Sequence, residues 1–127
     1  MTTLAMTSDN LAEVLGKGTV LVDFWAPWCA PCRAFAPIYE AVSARHPELT
    51  FAKVDTEAEG GLASAFEIQA IPTLMVFRDG MLLFRDAGMI PAAALEELIE
   101  RVADVDMDAL RAKVAATESS ARKRAAE

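Results

Sequence analysis

Cys29 and Cys32 are the only cysteines of the 127-residue chain, and Ala30 and Pro31 separate them. Thiols at this spacing fit within one helical turn and can cycle between dithiol and disulfide without help from the rest of the protein. As a structural staple the pair would constrain little, because the stabilisation from a disulfide grows with the length of the loop it closes. As a zinc site it lacks ligands: four are usual, and beyond the two cysteines the chain offers one distant histidine, His46. No metal is therefore expected. Reversible thiol–disulfide exchange is the chemistry that suits the pair. Asp23 is a second candidate, a carboxylate set inside an apolar run.

The elements that must position these groups are legible around them. Thr19–Trp25 is a nearly continuous apolar, β-branched run, the pattern of a strand buried on both faces. Ala26-Pro27-Trp28 turns the chain, and Phe35, Tyr39 and Val42 recur at helical spacing after it. Cys29 thus falls at a helix N-terminus, where unpaired amides and the helix dipole favour a thiolate. It is the expected nucleophile, at the exposed helix end. Cys32, one turn inside and shielded, is the expected resolving thiol, and Pro31 suits a first turn whose N–H has no helical partner.

Alternation places Asp23 on one face with Leu21 and Trp25. Burial there raises a carboxyl pKa towards neutrality and suits Asp23 to take the proton of Cys32, through water. A lysine interrupts a second apolar strand, Phe51–Asp55. If the two strands are neighbours, Lys53 partners Asp23, either in support of that proton transfer or as an ion pair kept for packing.

Val22-Asp23-Phe24-Trp25, Trp28-Cys29-Ala30-Pro31-Cys32, Pro37 five residues further on, and Ile71-Pro72-Thr73 together resemble the thioredoxin family. The likeness runs over about residues 8–103. Asp23–Pro37 and Lys53–Glu59 are most similar to the second class of bacterial thioredoxins, although the zinc-binding N-terminal segment of its longer members is missing. Ala30 stands where the family usually has glycine; alanine is the better helix former. The resemblance implies an α/β thioredoxin fold, with a central mixed β-sheet flanked by helices on both faces. It implies a cis Ile71–Pro72 bond lying against the cysteines. The Ile71 backbone is then free to pair with an extended client segment. It also implies a substrate-binding surface of Trp28, Ala30, Pro31, Ile71, Pro72 and Gly88. The implied activity is protein-disulfide reduction in cell redox homeostasis, with no cofactor bound. Reducing equivalents come from NADPH through a thioredoxin reductase, and disulfide-containing proteins are the clients.

Composition fits that reading. The chain is 54% hydrophobic and carries a formal charge of −7. Residues 1–103 hold 14 acidic and 7 basic side chains, whereas residues 104–127 hold five of each. An acidic domain argues against nucleic acid as a partner. Met1–Leu15 lacks the basic start and apolar run of a signal peptide, and no stretch approaches membrane-span length. A cytoplasmic monomer is expected, its thiols suited to a reducing compartment.

A short helix is expected near Asp9–Leu15, and the active-site helix is kinked at Pro37 and ends before His46. His46 reads as a solvated residue without a catalytic role. Thr56 and Glu59 have capping-box spacing, but Gly60-Gly61 make the third helix start late, to end near Phe66. Asp79-Gly80 joins strands Leu74–Phe77 and Met81–Phe84 as a hairpin. Pro91 opens a helix with Leu95, Leu98, Ile99 and Val102 on one face. Residues 1–103 form the expected domain; residues 104–127 are a C-terminal helical extension with a frayed tail, loosely packed or serving as a docking helix. Two rival readings are an oxidase or isomerase of the same fold, which commonly has histidine between the cysteines, and a non-enzymatic binding module.

Overall fold

The computed structural model describes residues 2–126. In chain order the elements are β1 (Thr3–Ala5), α1 (Leu11–Leu15), β2 (Thr19–Trp25), α2 (Ala30–Arg45), β3 (Thr50–Asp55), α3 (Gly60–Ala65), β4 (Thr73–Arg78), β5 (Met81–Ala87), α4 (Ala92–Ala103) and α5 (Met107–Ala126). The strands form one sheet in the order β1-β3-β2-β4-β5. β3 runs parallel to both β1 and β2, while β4 is antiparallel to β2 and β5. The sheet is therefore mixed, as expected.

The apolar run of β2 is explained by burial on both faces. Val20, Val22 and Phe24 pack with Val14 of α1, Leu62 of α3, Met75 and Phe77. Leu21, between them in sequence, faces the other way, onto Phe35, Tyr39 and Val42 of α2 and Leu95, Ile99 and Val102 of α4. Helices thus cover both sides. Burying each such side chain contributes about 1.5–3 kcal/mol. On the second face Phe35, Tyr39 and Phe51 form an aromatic chain with ring centroids 5.6 and 5.3 Å apart.

The structure adds local detail to these expectations. β1 has too few residues to show a period in sequence; pairing with β3, extended by a Met6 N–H to Lys53 carbonyl bond of 2.8 Å, creates it. α1 starts at Leu11 rather than near Asp9, because the Asn10 side chain is engaged by the Thr7 N–H and the Ala5 carbonyl. α3 starts late, at Gly60, but no capping box forms. The Thr56 hydroxyl donates to the Trp25 carbonyl instead, and Glu59 accepts from the Ser8 N–H. Asp79 and Gly80, with φ of 53° and 80°, make the expected hairpin turn.

The extension begins where Arg78 ends α4. Its guanidinium donates to the carbonyls of Val102, Ala103 and Val105. Met107 is buried and Arg111 lies 3.6 Å from Asp79, while the side chains of residues 111–125 are exposed.

Candidate active site

Cys29 caps α2 and Cys32 lies in its first turn; a disulfide joins them, their Cα atoms 5.2 Å apart. The cap position leaves the Cys29 backbone extended, with φ −84° and ψ 112°. The Cys32 N–H then points at Cys29 Sγ from 3.2 Å, and the Arg33 N–H donates to the Cys29 carbonyl at 3.1 Å. A sulfur that receives a helix amide is the one on which negative charge is favoured after reduction. Exposure does not separate the two residues. Cys29 is 4% and Cys32 2% exposed, so the expected exposed Cys29 is corrected to a nearly covered one. The cysteines cluster with Ala26, and Trp25 and Ile71 pack against that cluster.

The Ile71–Pro72 bond is cis, and the Ile71 carbonyl lies 3.7 Å from Cys29 Sγ. Pro72 is buried and Ile71 half-buried. The Gly88 N–H donates to the Pro72 carbonyl at 2.7 Å, and its φ of 101° belongs to glycine, since a Cβ disfavours that region. Trp28, Ala30 and Pro31 are exposed beside the disulfide. The fold thus brings together the expected residues of the rim from three separate segments. Two further neighbours lie outside the sequence reading. Glu57 accepts the Trp28 indole N–H at 2.6 Å, and Met89, next to Gly88, is a large apolar side chain left 42% exposed. No sequence signal separates Glu57 from the other acids of its loop, whereas Met89 adjoins a residue already singled out.

Asp23, on β2, is fully buried, with neither carboxylate oxygen hydrogen-bonded. Burial pushes its pKa up from 3.8 to about 7, against the opposing pull of the Lys53 charge. Lys53 is its register neighbour on β3, as the sequence allows. The partnership runs through charge and not through direct contact. The two make no ion pair; the Lys53 ammonium lies over the Trp25 ring, 4.8 Å from its centroid. Lys53 therefore acts on Asp23 through its field. Among the described residues, no group of three or more His, Cys, Asp or Glu side chains could hold a metal ion.

The thioredoxin family pattern matches residues 2–101 of the chain. The chain belongs to the thioredoxin family. "Putative thioredoxin 2" of Streptomyces coelicolor is 43% identical over 120 residues, 94% of this chain and 90% of that protein. Seven of the 127 residues lie outside that match, so the likeness reaches past Met107 into α5. Thioredoxin of Chlamydia muridarum is 38% identical over 96 residues, 76% of this chain and 94% of that protein. Among solved structures, a mutant thioredoxin from Halobacterium salinarum superposes with a TM-score of 0.74 at 31% identity, covering 81% of this chain and 91% of that one. As a thioredoxin-family member the chain is a thiol–disulfide oxidoreductase, and its redox centre is the Cys29–Cys32 pair.

Proposed function

We propose that the protein is a protein-disulfide reductase in which Cys29 is the nucleophile, Cys32 the resolving thiol and Asp23 the proton acceptor. The observation that carries the assignment is the helix amide aimed at Cys29 Sγ. In the reduced protein the Cys29 thiolate attacks a client disulfide, forming a mixed disulfide and releasing one client thiolate. Cys32 gives its proton to Asp23, attacks Cys29 Sγ and releases the second client thiolate. The client is reduced and the protein ends with the Cys29–Cys32 disulfide. A base with a pKa near 7 is matched to this transfer at neutral pH. Lys53 tunes that base through its charge.

Clients would settle on Trp28, Ala30, Pro31, Ile71, Pro72 and Gly88, with an extended segment pairing to the Ile71 backbone. Residues 1–103 carry this chemistry, and residues 104–127 are an appended helical extension. A thioredoxin reductase drawing on NADPH regenerates the dithiol, disulfide-bearing proteins of the cytoplasm are the clients, and the protein works as a monomer. No helix among the described residues is long and apolar enough to cross a membrane.

The test is insulin reduction coupled to thioredoxin reductase and NADPH, together with a reduction potential. Sustained NADPH consumption and a potential near −270 mV are expected. That figure is the reference value for thioredoxin itself and is not a result of this geometry. A potential near −120 mV, the range of a strong oxidant, would reassign the protein to disulfide formation.

A further inference from the structure

Asp23 and Lys53 stand opposite one another on adjacent parallel strands. Neighbouring strands lie about 4.8 Å apart, and the four-carbon arm of a lysine spans that gap easily. A buried carboxylate beside a lysine of such reach is ordinarily found in an ion pair. Here both carboxylate oxygens are without a partner, and the ammonium rests over the indole of Trp25.

Trp25 is two residues beyond Asp23 on the same strand, so its ring and the carboxylate share one face of the sheet. We propose that Trp25 is a positioning residue for the reaction: its ring holds the Lys53 ammonium and keeps it off Asp23, leaving that carboxylate unpaired.

Desolvation supplies the physical reason. Lys53 is only half-buried and, with Trp25, lines a groove of about 580 Å³ that also has Asp55 and Glu59 in its wall. There the ammonium keeps solvent access and an aromatic face. Moving to Asp23 would strip that hydration, and buried ion pairs do not always recover such a loss. A cation over an indole retains about 0.5–2 kcal/mol with part of its hydration intact. The other groups that face Asp23 cannot substitute for Lys53. Tyr39, from α2, spends its hydroxyl proton on the Ala52 carbonyl at 2.8 Å, and Leu74, opposite on β4, is apolar.

The catalytic consequence rests on the role given to Asp23 above, whereas the placement of Lys53 does not. The experiment therefore follows the Asp23 carboxyl carbon by NMR titration in the full-length oxidised protein, with no client present. Lys53→Gln should raise the midpoint, because a nearby positive charge is lost. Trp25→Leu should lower it by about one pH unit, a tenfold loss of proton affinity, as the freed ammonium moves to the carboxylate. Trp25→Phe keeps an aromatic face and should hold the wild-type midpoint. The double variant Trp25→Leu/Lys53→Gln should titrate like Lys53→Gln alone, since the tryptophan acts through the lysine.

An unchanged or raised midpoint in Trp25→Leu, or a double variant that differs from Lys53→Gln, would overturn the proposal. Should Trp25→Leu fail to fold, the wild-type protein supplies the test. The Lys53 side-chain protons should be shifted upfield by the indole both below and above the Asp23 midpoint, and their absence from the ring-shifted region would equally overturn it. If the midpoints follow the expected pattern while Asp23→Ala resolves mixed disulfides normally, Trp25 keeps its place and the proton-acceptor role of Asp23 is what falls.

Discussion

Asp23 and His46 both have their pKa raised above the ordinary value, and their surroundings are opposite. Asp23 is fully buried with no hydrogen bond to either oxygen. His46 caps the C-terminus of α2, its side chain 22% exposed, with Nδ1 3.1 Å from Glu48 and Nε2 2.7 Å from Glu96 of α4. A neutral imidazole donates through one nitrogen alone, so a ring with carboxylates on both sides is satisfied when doubly protonated. Partial burial pulls the His46 pKa down. The hydrogen bonds to Glu96 and Glu48, and then their charges, outweigh it and set the pKa above the ordinary 6.5. Burial dominates at Asp23 and raises its pKa by excluding the anion. The difference teaches which group is left free to exchange a proton. Fully partnered ionisable groups tie α2 to α4, whereas the Asp23 carboxylate is held in the core without a hydrogen bond.

The largest effect that could break this division belongs to the cysteines. Cys32→Ser should accumulate stable mixed disulfides with client proteins, because attack proceeds and resolution cannot. Cys29→Ser should accumulate almost none. Non-reducing gels of both variants after exposure to disulfide-bearing clients decide the matter, and the reverse pattern would put the nucleophile at the wrong sulfur.

Asp23→Ala sharpens the comparison next. Mixed-disulfide resolution should slow by about tenfold or more at pH 7, less than the roughly hundredfold minimum typical of a directly positioned proton acceptor, because the transfer runs through water. The defect should shrink towards pH 9 as Cys32 ionises unaided, and flat kinetics from pH 6 to 9 would leave Asp23 a structural residue. Stability should move the other way. The folded-state pKa is raised from 3.8 to about 7, so folding opposes ionisation and the wild type is penalised increasingly across that interval. The penalty is complete above pH 7 and of order 4 kcal/mol at about 1.4 kcal/mol per pH unit. Removing the carboxyl should raise the midpoint of denaturant unfolding at pH 8 and give no such gain below pH 3.8. Lys53 is not abandoned by the change, because its ammonium already rests on Trp25.

His46→Gln should give the smallest effect, with the opposite pH dependence. The folded pKa lies above the unfolded 6.5, so the histidinium contribution is complete below pH 6.5 and is lost as pH rises through the folded value. A fall in Tm of about 2 °C is expected at pH 6, in keeping with the modest worth of part-exposed ion pairs. It should fade at alkaline pH, with insulin reduction unchanged throughout. As His46 is the chain's single histidine, one imidazole NMR signal reports its pKa directly. A midpoint at or below 6.5 would remove this half of the comparison.

Much of this site can be read from residue types alone. A paired cysteine at a strand-to-helix junction, an acid inside an apolar strand and a glycine-turn hairpin each carry a local physical signature, and each stands where its signature implies. Glu57 and β1 cannot be read this way. Glu57 is one acid among several until the fold sets it against Trp28, and three residues of β1 have no period until β3 pairs with them. His46 reads as merely solvated in the sequence because its second carboxylate lies 50 residues away on α4.

The sequence by itself determined the dithiol chemistry, the buried placement of Asp23 and the order of most elements, because these follow from spacing, alternation and turn chemistry along a local stretch of chain. The tertiary structure alone decided where the charges went. It covered both cysteines almost equally, set two carboxylates about His46, and gave the Lys53 ammonium to Trp25 rather than to Asp23. Charge partners are chosen by distance and desolvation across elements, and neither is written in the order of residues.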